Sequence, residues 1–306
     1  MSNVKLVTYR TGDGARAGAV IEERVHDLAA LTGNPADTTM DGFLGDWTRG
    51  RDRLAAALTR GPRDKGIALG EATLLAPVPT PRAIYCAGAN YMDHVREMNA
   101  RQNRPPDPDP HDLGLKPWHF IKASTSVTDP GATVALPKAS QQVDWEAELA
   151  AVIGLTAKDV PASRALDHVA GYLCANDLSA RDLGFREALP PANPFRADWV
   201  AHKSFDGSCP LGPWIVPAED IGDPQMLGIK LFVNDVLKQD SNTKEMIFTL
   251  AEQIEQLSSR ITLHPGDIIL TGTPAGVGAG RGEFLKSGDV VKVWIEKIGT
   301  LTNKMA

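Results

Sequence analysis

Residues 144–154 read DWEAELAAVIG, and this stretch says most about both the fold and the chemistry. If it forms a strand, alternate side chains share one face, so Glu146 and Glu148 project together with Asp144 on the same side. Neighbouring carboxylates repel each other, and burial strengthens the repulsion. A divalent cation removes this conflict, and oxygen ligands suit Mg²⁺, Mn²⁺ or Ca²⁺. The stretch therefore predicts part of a metal site, with a half-exposed strand whose acids face water as the alternative.

The sequence that follows is rich in short strand candidates separated by turn-forming glycines and prolines. They include IKLFVNDV (229–236), GDIILTG (266–272) and DVVKVWIE (289–296). The clearest helix is 243–261, where apolar residues recur at helical spacing and Asn242 with Glu245 resembles a capping box. The number of strands predicts a β-rich α+β fold rather than a doubly wound parallel sheet.

The amino-terminal part, residues 1–75, is predicted to form a small separate domain. It contains a hairpin around the turn-rich TGDGARAG and a helix over Met40–Leu58. Closely spaced prolines over residues 77–81 predict a linker into a second domain, residues 76–306. Two proline-rich segments, 99–114 and 186–199, are predicted to be surface loops, and each is either a lid over a site or an ordinary stiffened loop.

Composition excludes several classes of function. The chain has 306 residues and a formal net charge of -6 with no basic patch, so we expect no nucleic-acid partner. No apolar run approaches the ~20 residues that span a membrane, and the start lacks the apolar core of a signal peptide. We expect a cytoplasmic protein without a membrane partner. The three cysteines, Cys86, Cys174 and Cys209, lie in apolar contexts and are predicted to be small buried hydrophobic residues.

Two further segments carry side chains suited to a site built on carboxylates. Asp177 follows the apolar run GYLCA, so it lies at a predicted strand end and is a candidate third oxygen ligand. Arg181 could offer its planar fork to a carboxylate. In the second segment, Asn90 is predicted to cap a helix on which His94 and Glu97 face the same way. A carboxylate beside an imidazole orients it and raises its basicity. A capped turn and a surface His–Glu pair are the alternatives.

Two more segments suit the binding of negative charge. Lys203 precedes an apolar run rich in glycine and proline, so its ammonium is predicted to be partly desolvated and able to neutralise a substrate carboxylate or an enolate. A surface lysine is the alternative. The glycine-rich segment 271–278 is predicted to expose backbone N–H groups to anions, although it lacks the P-loop pattern. A tight turn is the alternative.

Six segments, taken in order, resemble the motif series of the fumarylacetoacetate hydrolase family. The resemblance runs from about residue 76 to the end, and the preceding segment resembles the small leading domain of bacterial members. It implies a layered, β-rich catalytic fold that forms homodimers. It also implies one divalent metal ion per chain, Mg²⁺ or Mn²⁺, bound by Glu146, Glu148 and Asp177. The six segments are GANYMDHVREM, FIKASTSV, DWEAELAAVIG, NDLSARD, KSFDGSCPLGPWIV and GDIILTGTPAGVG.

The same motif match implies roles for individual side chains. His94 and Glu97 match the catalytic dyad, and Lys203 matches the active-site lysine. Four further residues match positions that contact the substrate, and one of them lies in a loop that lines the site. The residues concerned are Arg181, Thr273, Tyr91 and, in the loop, Lys122.

The chain departs from the family pattern at two positions. Gly184 stands where many members carry glutamine, which predicts open space in the pocket. His202 stands where the family usually has glycine before the lysine, and it either adds a hydrogen-bond donor near the site or is a tolerated surface change.

The resemblance implies a substrate with a 2-oxo acid unit. The carboxylate and 2-oxo oxygen of such a unit can chelate a metal, which favours enolate formation. The expected reaction is hydrolysis of an acylpyruvate, such as maleylpyruvate or fumarylpyruvate, to pyruvate and a carboxylic acid in aromatic-compound catabolism. The alternatives are oxaloacetate decarboxylation and isomerisation or dehydration of a 2-oxo acid. A metal-stabilised protein without catalysis is a further class, which the presence of both dyad and ligands disfavours.

Overall fold

The computed structural model describes residues 4–101 and 103–306 and is built from three sheets with short helices around them. The strands are Lys5–Thr11 (β1), Gly14–Ile21 (β2), Arg24–Asp27 (β3), Ile67–Ala68 (β4), Leu74–Leu75 (β5), Ile84–Ala87 (β6), His119–Lys122 (β7), Val127–Thr128 (β8), Thr133–Val134 (β9), Val143–Asp144 (β10), Ala147–Ile153 (β11), Val169–Asn176 (β12), Ser179–Ala180 (β13), Cys209–Pro217 (β14), Gly228–Val233 (β15), Val236–Asn242 (β16), Ile268–Leu270 (β17), Val290–Ile295 (β18) and Gly299–Met305 (β19). The α-helices are Leu28–Thr32 (α1), Met40–Gly45 (α2), Trp47–Arg60 (α3), Met92–Arg101 (α4), Ala162–Ala165 (α5), Arg181–Gly184 (α6), Trp199–Lys203 (α7), Ala218–Ile221 (α8), Leu250–Arg260 (α9) and Gly278–Arg281 (α10). Single 3₁₀ turns cover Pro35–Thr38, Leu69–Glu71, Ser124–Ser126, Leu166–His168, Pro224–Met226 and Thr243–Glu245.

The large sheet joins the amino-terminal segment to the rest of the chain. Its strand order is β4-β3-β2-β1-β14-β12-β11-β17-β6-β7, with β5 paired to β1 and β8 paired to β14. Strand β1 pairs with β14 at Leu6 and Ile215, so residues on both sides of the predicted linker share one sheet. A second sheet has the order β16-β15-β18-β19-β9, and β10 pairs with β13 alone. The predicted β-rich, layered α+β fold is confirmed.

The two faces of the large sheet bury two separate apolar cores. Strand β11 contributes to both, since alternate side chains point to opposite faces. Leu149 and Ala151 pack in the core shared with the five-stranded sheet and α9, whereas Ala150 and Val152 pack in the core shared with α2 and α3. Every residue of β11 is therefore buried. Glu148 is buried in this strand, so its charge needs a partner other than bulk water.

Local predictions in the amino-terminal segment are met in part. The predicted hairpin is confirmed, because β1 and β2 pair antiparallel and close at Thr11 and Gly14. The helix predicted over Met40–Leu58 is wrong as a single element, because it divides at Asp46 into α2 and α3. The three cysteines are buried and free, as predicted. None of the helices in the described residues is both long and apolar enough to cross a membrane.

The two proline-rich segments lie on the surface over most of their length. Apart from the end of α4, the described part of 99–114 is irregular, and so is 186–198; Gln102 lies outside the described residues. Phe195 in the second segment is 73% exposed. Both segments are surface loops, as predicted; their role as lids stays a prediction.

The capping box of the longest carboxy-terminal helix was predicted at the wrong place. Asn242 caps only the 3₁₀ turn Thr243–Glu245. The true capping box is Thr249 with Glu252, and α9 begins seven residues after the predicted start. Both positions have a polar residue followed three residues later by glutamate. Residues 246–249 do not continue a helix, and Phe248 is held there by Asn90.

The register of the large sheet brings four strand ends to one edge. Strands β6 and β17 are parallel, with Cys86 opposite Leu270, so their carboxyl ends lie side by side. Strand β12 ends at Asn176, opposite Ala147 at the start of β11. The segments that leave these ends contain the predicted metal ligands, the dyad and the glycine-rich segment. The candidate site lies at this edge.

Asn90 ties two of these segments together. It was predicted as a helix cap, but its side chain bonds distant backbone groups instead: the amide nitrogen donates to Phe248 O at 3.0 Å and to Thr271 O at 2.8 Å. Its amide oxygen accepts from Phe248 N at 2.9 Å. The side chain is buried, so water cannot supply these hydrogen bonds and the protein must form them itself.

Replacing Asn90 by alanine is expected to destabilise the protein by about 2–4 kcal/mol, because three buried hydrogen bonds are lost and their backbone partners stay dry. Urea unfolding measures the effect. Asn193→Ala is the matched control, because Asn193 holds only a local turn through Phe195 N and should cost under about 1 kcal/mol. Equal unfolding midpoints for wild type and Asn90→Ala would contradict the assignment.

Candidate active site

Three buried carboxylates form the centre of the site. One oxygen each of Glu146, Glu148 and Asp177 lies within 4.8 Å of the other two. Glu146 lies in the two-residue break between β10 and β11, Glu148 on β11, and Asp177 one residue past β12. All three are buried. The predicted clustering of these acids at a strand end is confirmed as geometry.

Side-chain hydrogen bonds hold the break in which Glu146 lies. The Glu146 N–H donates to Asn176 Oδ1 at 3.0 Å, and the Ala147 N–H donates to Gln239 Oε1 at 2.9 Å. Gln239 is fully buried on β16 of the five-stranded sheet. The break allows β11 to keep its pairing while Glu146 turns toward Asp177.

Three cations surround the carboxylates. Lys203 Nζ donates to Glu146 Oε2 at 2.8 Å and to Asp177 Oδ2 at 2.7 Å. Lys122 Nζ donates to the other oxygen of Asp177, also at 2.7 Å. Arg181 donates to Glu146 Oε1 and, through Nε, to Asp144 Oδ2 at 2.9 Å. Lys203 is thus desolvated, as predicted, but its ammonium is aimed at the protein's own acids.

These contacts leave Glu148 without an ion-pair partner among the described residues. Its carboxylate accepts one hydrogen bond, from Gly272 N at 2.6 Å. Burial, together with repulsion from Asp177 and Glu146, raises the pKa of Glu148 well above its usual range. Burial alone would also raise the pKa of Glu146, but the charges of Lys203 and Arg181 outweigh it and lower that pKa. A divalent cation fits this set, because it would stabilise the charge of Glu148 that no side chain balances.

The predicted dyad lies on one side of the carboxylates. His94 and Glu97 lie one turn apart on α4, with His94 Nδ1 3.8 Å from Glu97 Oε2. This distance is too long for a hydrogen bond, and Nδ1 has no hydrogen-bond partner among the described residues. Burial would raise the pKa of Glu97, but His94 and the Gly276 N–H lower it, so the group is held as a carboxylate.

The glycine-rich segment binds anions, and they are the protein's own carboxylates. Its N–H groups reach Glu148 through Gly272 at 2.6 Å and Glu97 through Gly276 at 2.9 Å. Two further N–H groups donate to Asp144, from Gly278 at 2.5 Å and from Ala279 at 2.9 Å. The segment therefore positions the acids of the site, whereas the sequence predicted only an exposed anion-binding loop.

A cavity of about 230 Å³ opens above the carboxylates. It is bounded by His94 on one side and by Lys203 on the other, with Thr273 in the wall. Thr273 Oγ1 accepts a hydrogen bond from Gln239 Nε2 at 2.9 Å. Aromatic side chains form the outer wall, and Phe120 stacks on Trp199 with ring centroids 5.2 Å apart. The residues that line the cavity are Ala87, Gly88, Ala89, His94, Trp118, Phe120, Glu146, Glu148, Arg181, Phe185, Trp199, His202, Lys203 and Thr273.

Two predicted substrate contacts do not line this cavity. Tyr91 is fully buried in the core, and its backbone pairs with Met246 in an isolated bridge. Lys122 lies on strand β7 rather than in a loop, and its ammonium is committed to Asp177 and to Leu178 O. Its position is that of a residue that orients an acid.

The prediction of open space beside Gly184 is wrong. A Cβ at this position would lie 2.9 Å from Cγ and from Nδ1 of His202. The imidazole therefore fills the space, and the two departures from the family pattern form one contact. His202 is 6% exposed, so the interpretation as a tolerated surface change is wrong as well.

Several residues that build the site were missed from the sequence. Gln239 bonds Ala147, Thr273 and Pro274, and Asp93 accepts from Ser241 Oγ at 2.6 Å and faces the glycine-rich segment. Gln239 lies in an exposed-looking polar run, and no local pattern distinguishes it. Asp93 stands beside His94, and that adjacency was the one available indication.

Comparison with known proteins places these features in context. Residues 83–306 match the family model described as fumarylacetoacetate (FAA) hydrolase C-terminal. The chain is 42% identical over 233 residues, 76% of its length and 67% of that protein, to oxaloacetate tautomerase fahd2, mitochondrial, from Xenopus laevis. It is 40% identical to 2,4-didehydro-3-deoxy-L-rhamnonate hydrolase from Sphingomonas sp. (strain SKA58), with 81% of the chain and 82% of that protein covered. Maleylpyruvate hydrolase from Sphingobium sp. SYK-6, in complex with manganese (II) ion and pyruvate, matches with a TM-score of 0.75 at 31% identity, covering 99% of this chain and 98% of that one.

Proposed function

The chain belongs to the fumarylacetoacetate hydrolase family, and from this premise we propose that it is a metal-dependent hydrolase of acylpyruvates. The substrate class is a 2,4-dioxo acid such as maleylpyruvate or fumarylpyruvate, and the products are pyruvate and a carboxylic acid. Glu146, Glu148 and Asp177 would hold one Mg²⁺ or Mn²⁺ ion. The likeness to a maleylpyruvate hydrolase solved with manganese and pyruvate supports this choice.

The observation that carries the proposal is the shape of one cavity. It joins His94 to Glu146 and Glu148, and it continues outward along Phe185 and Trp199. The inner end matches the two oxygens of a 2-oxo acid unit beside a cation. The aromatic outer wall suits the carbon chain of an acyl arm, because apolar surface there is covered when the arm binds.

The chain's own residues then divide the work. Glu146, Glu148 and Asp177 would hold a divalent cation, which would supply a Lewis acid for negative charge that develops on the 2-oxo acid unit. His94, oriented by the Glu97 carboxylate, removes a proton from water, which attacks the distal carbonyl carbon of the substrate. The carbon–carbon bond breaks, and the electron pair passes to the pyruvoyl unit, which is then protonated at carbon. Lys203 stays within reach to balance the developing charge.

Tautomerisation of oxaloacetate is the second candidate. Relatives named oxaloacetate tautomerase share 42% identity with this chain, which is more than the 31% of the maleylpyruvate hydrolase. Keto–enol exchange needs only a proton removed from one atom and returned to another, and His94 can serve in both steps. It needs no attacking water and no space for an acyl arm. Decarboxylation of oxaloacetate, and isomerisation or dehydration of a 2-oxo acid, likewise require the 2-oxo acid unit to bind at the inner end of the cavity.

A substrate panel distinguishes these reactions. We expect kcat/KM for an acylpyruvate to exceed that for oxaloacetate by at least about tenfold, about 1.4 kcal/mol of transition-state preference. Loss of dioxo-acid absorbance and release of pyruvate are followed with Mg²⁺ and with Mn²⁺. The same protein is assayed for the rate of oxaloacetate enol disappearance and for pyruvate formed from oxaloacetate. Faster enol–keto exchange without pyruvate release would favour the tautomerase instead.

A further inference from the structure

His202 occupies a position in the cavity wall that the proposed reaction does not use. It lies on the short helix α7, one residue before Lys203, and its ring stacks on Trp199 with centroids 5.6 Å apart and planes 29° apart. Its other side touches the backbone at Gly184. The ring is thus held on two sides, and it lines the cavity next to Phe185 and Arg181.

Neither ring nitrogen of His202 has a hydrogen-bond partner among the described residues. Only 6% of the surface of His202 is exposed. The neighbouring charged groups already have hydrogen-bond partners, because Arg181 and Lys203 both donate to carboxylates. A buried polar group without a partner costs free energy, and a bound molecule that supplies the partner recovers it. The imidazole is therefore placed to bind something that enters the cavity.

The imidazole is uncharged in this setting. Burial, with the positive charges of Lys203 and Arg181 nearby, lowers the pKa of His202 to about 3. A neutral imidazole has one N–H donor and one nitrogen acceptor. Nδ1 lies against Gly184, so Nε2 is the nitrogen left for a ligand. As donor or as acceptor it matches a hydroxyl group, and as donor it matches a carbonyl oxygen. A carboxylate would be bound more strongly by the charged donors of lysine or arginine.

We propose that His202 is a specificity-determining residue that hydrogen-bonds an uncharged oxygen, a hydroxyl or keto group, on the acyl arm of the substrate. The inference rests on the proposed function, because the 2-oxo acid unit must occupy the end of the cavity at Glu146 and Glu148. The arm then runs along the wall formed by Trp199, His202 and Phe185. An arm without a polar group covers the imidazole and leaves its nitrogens dry.

Gly184 is the second part of this device. Any Cβ at residue 184 would come within 2.9 Å of the His202 ring, closer than such atoms approach each other. The His202 ring stacks on the indole of Trp199 and occupies the space that a side chain at residue 184 would take. The pair Gly184–His202 therefore sets where on the arm the oxygen must be.

The test uses two substrates that differ by one hydroxyl group: 2,4-dioxopentanoate and 5-hydroxy-2,4-dioxopentanoate. The wild-type protein should favour the hydroxylated acid by about tenfold or more in kcat/KM. His202→Phe keeps a flat ring for Trp199 to stack on but has no polar atom, so its preference should fall to about one. Its kcat/KM should fall further for the hydroxylated acid than for 2,4-dioxopentanoate, because only the hydroxylated acid loses a hydrogen bond.

Binding measurements separate this inference from the proposed reaction. The dissociation constants of both acids are measured by calorimetry in the His94→Ala background, with and without His202→Phe. If the wild type hydrolyses neither acid, the proposed function fails, and the ratio of the two dissociation constants still decides the role of His202. A preference that survives His202→Phe, in binding or in turnover, overturns the role.

Gly184→Ala gives an independent check that leaves the imidazole in the chain. The added methyl group must move the ring, so the preference for the hydroxylated acid should fall, while Mn²⁺ content and melting temperature stay close to wild type. In the His202→Ala background the same methyl group meets no ring, and Gly184→Ala should then leave the preference unchanged. An unchanged preference in the single variant Gly184→Ala would overturn the proposed positioning.

Discussion

Glu148→Gln is expected to abolish metal binding and to lower activity about a thousandfold or more, because several kcal/mol of charge stabilisation depend on the cation. Glu148 is the ligand to choose, since it has no ion-pair partner among the described residues and its one protein hydrogen bond comes from Gly272 N. Glutamine has the same shape and keeps an oxygen for that bond. Elemental analysis should show Mn²⁺ falling from about one ion per chain to near zero.

Folding of the variant is checked in the metal-free state. The amide is neutral at a position where burial and repulsion from Asp177 and Glu146 oppose a charge, so the melting temperature without metal should equal or exceed that of wild type. Wild type should gain stability when Mn²⁺ is added, and Glu148→Gln should not. Glu219→Gln, on the exposed side of α8, is the matched control and should behave as wild type. Full metal occupancy in Glu148→Gln would refute the ligand assignment.

His94→Ala is expected to lower kcat by about 10²–10⁴, the usual contribution of a positioned general base. Metal content should stay near wild type, because His94 forms no hydrogen bond or ion pair with the three carboxylates among the described residues and lies in the cavity wall on α4. Glu97→Gln should lose less, since the amide can still accept from Gly276 N while its charge is gone. Steady-state kinetics with the preferred substrate measures both effects.

The control for the dyad is His264→Ala, because His264 is exposed and remote from the cavity wall. Its kcat should equal that of wild type. If His94→Ala turns over at a near-normal rate with unchanged pH dependence, the general base is another group, and both the hydrolase and the tautomerase proposals lose their proton carrier.

Local pattern predicted the strands and turns well, because such elements depend on neighbouring residues. The hairpin β1–β2 follows from turn residues between two apolar runs, and β15 and β18 show the alternating burial of half-covered strands. The start of α9 was misplaced because two candidate capping boxes lie seven residues apart. The choice between them depends on the hydrogen bond from Phe248 to Asn90, 158 residues away in the chain. The sequence around the helix does not indicate this contact.

The sequence by itself determined which groups the site contains. Carboxylates at 146, 148 and 177, a histidine and glutamate one helical turn apart, and a lysine before an apolar run are candidates by residue type and spacing. The resemblance of six ordered segments to one family favoured them over the alternative interpretations. Spacing on one helix is a local property, so the shared face of His94 and Glu97 could be predicted correctly. Glu146 and Glu148 do cluster, but Glu146 lies in the break before β11 and not on a strand face shared with Glu148.

Only the tertiary structure decided which groups face each other. The glycine-rich segment meets Glu148 and Glu97, Lys122 meets Asp177, and the ring of His202 fills the space beside Gly184. Such pairings depend on sheet register and on packing between elements that lie far apart in the chain. A shift of one residue in register would send each side chain to the other face. For this reason the types of residue in the site could be predicted from the sequence, whereas the contacts between them and the space left open beside them could not.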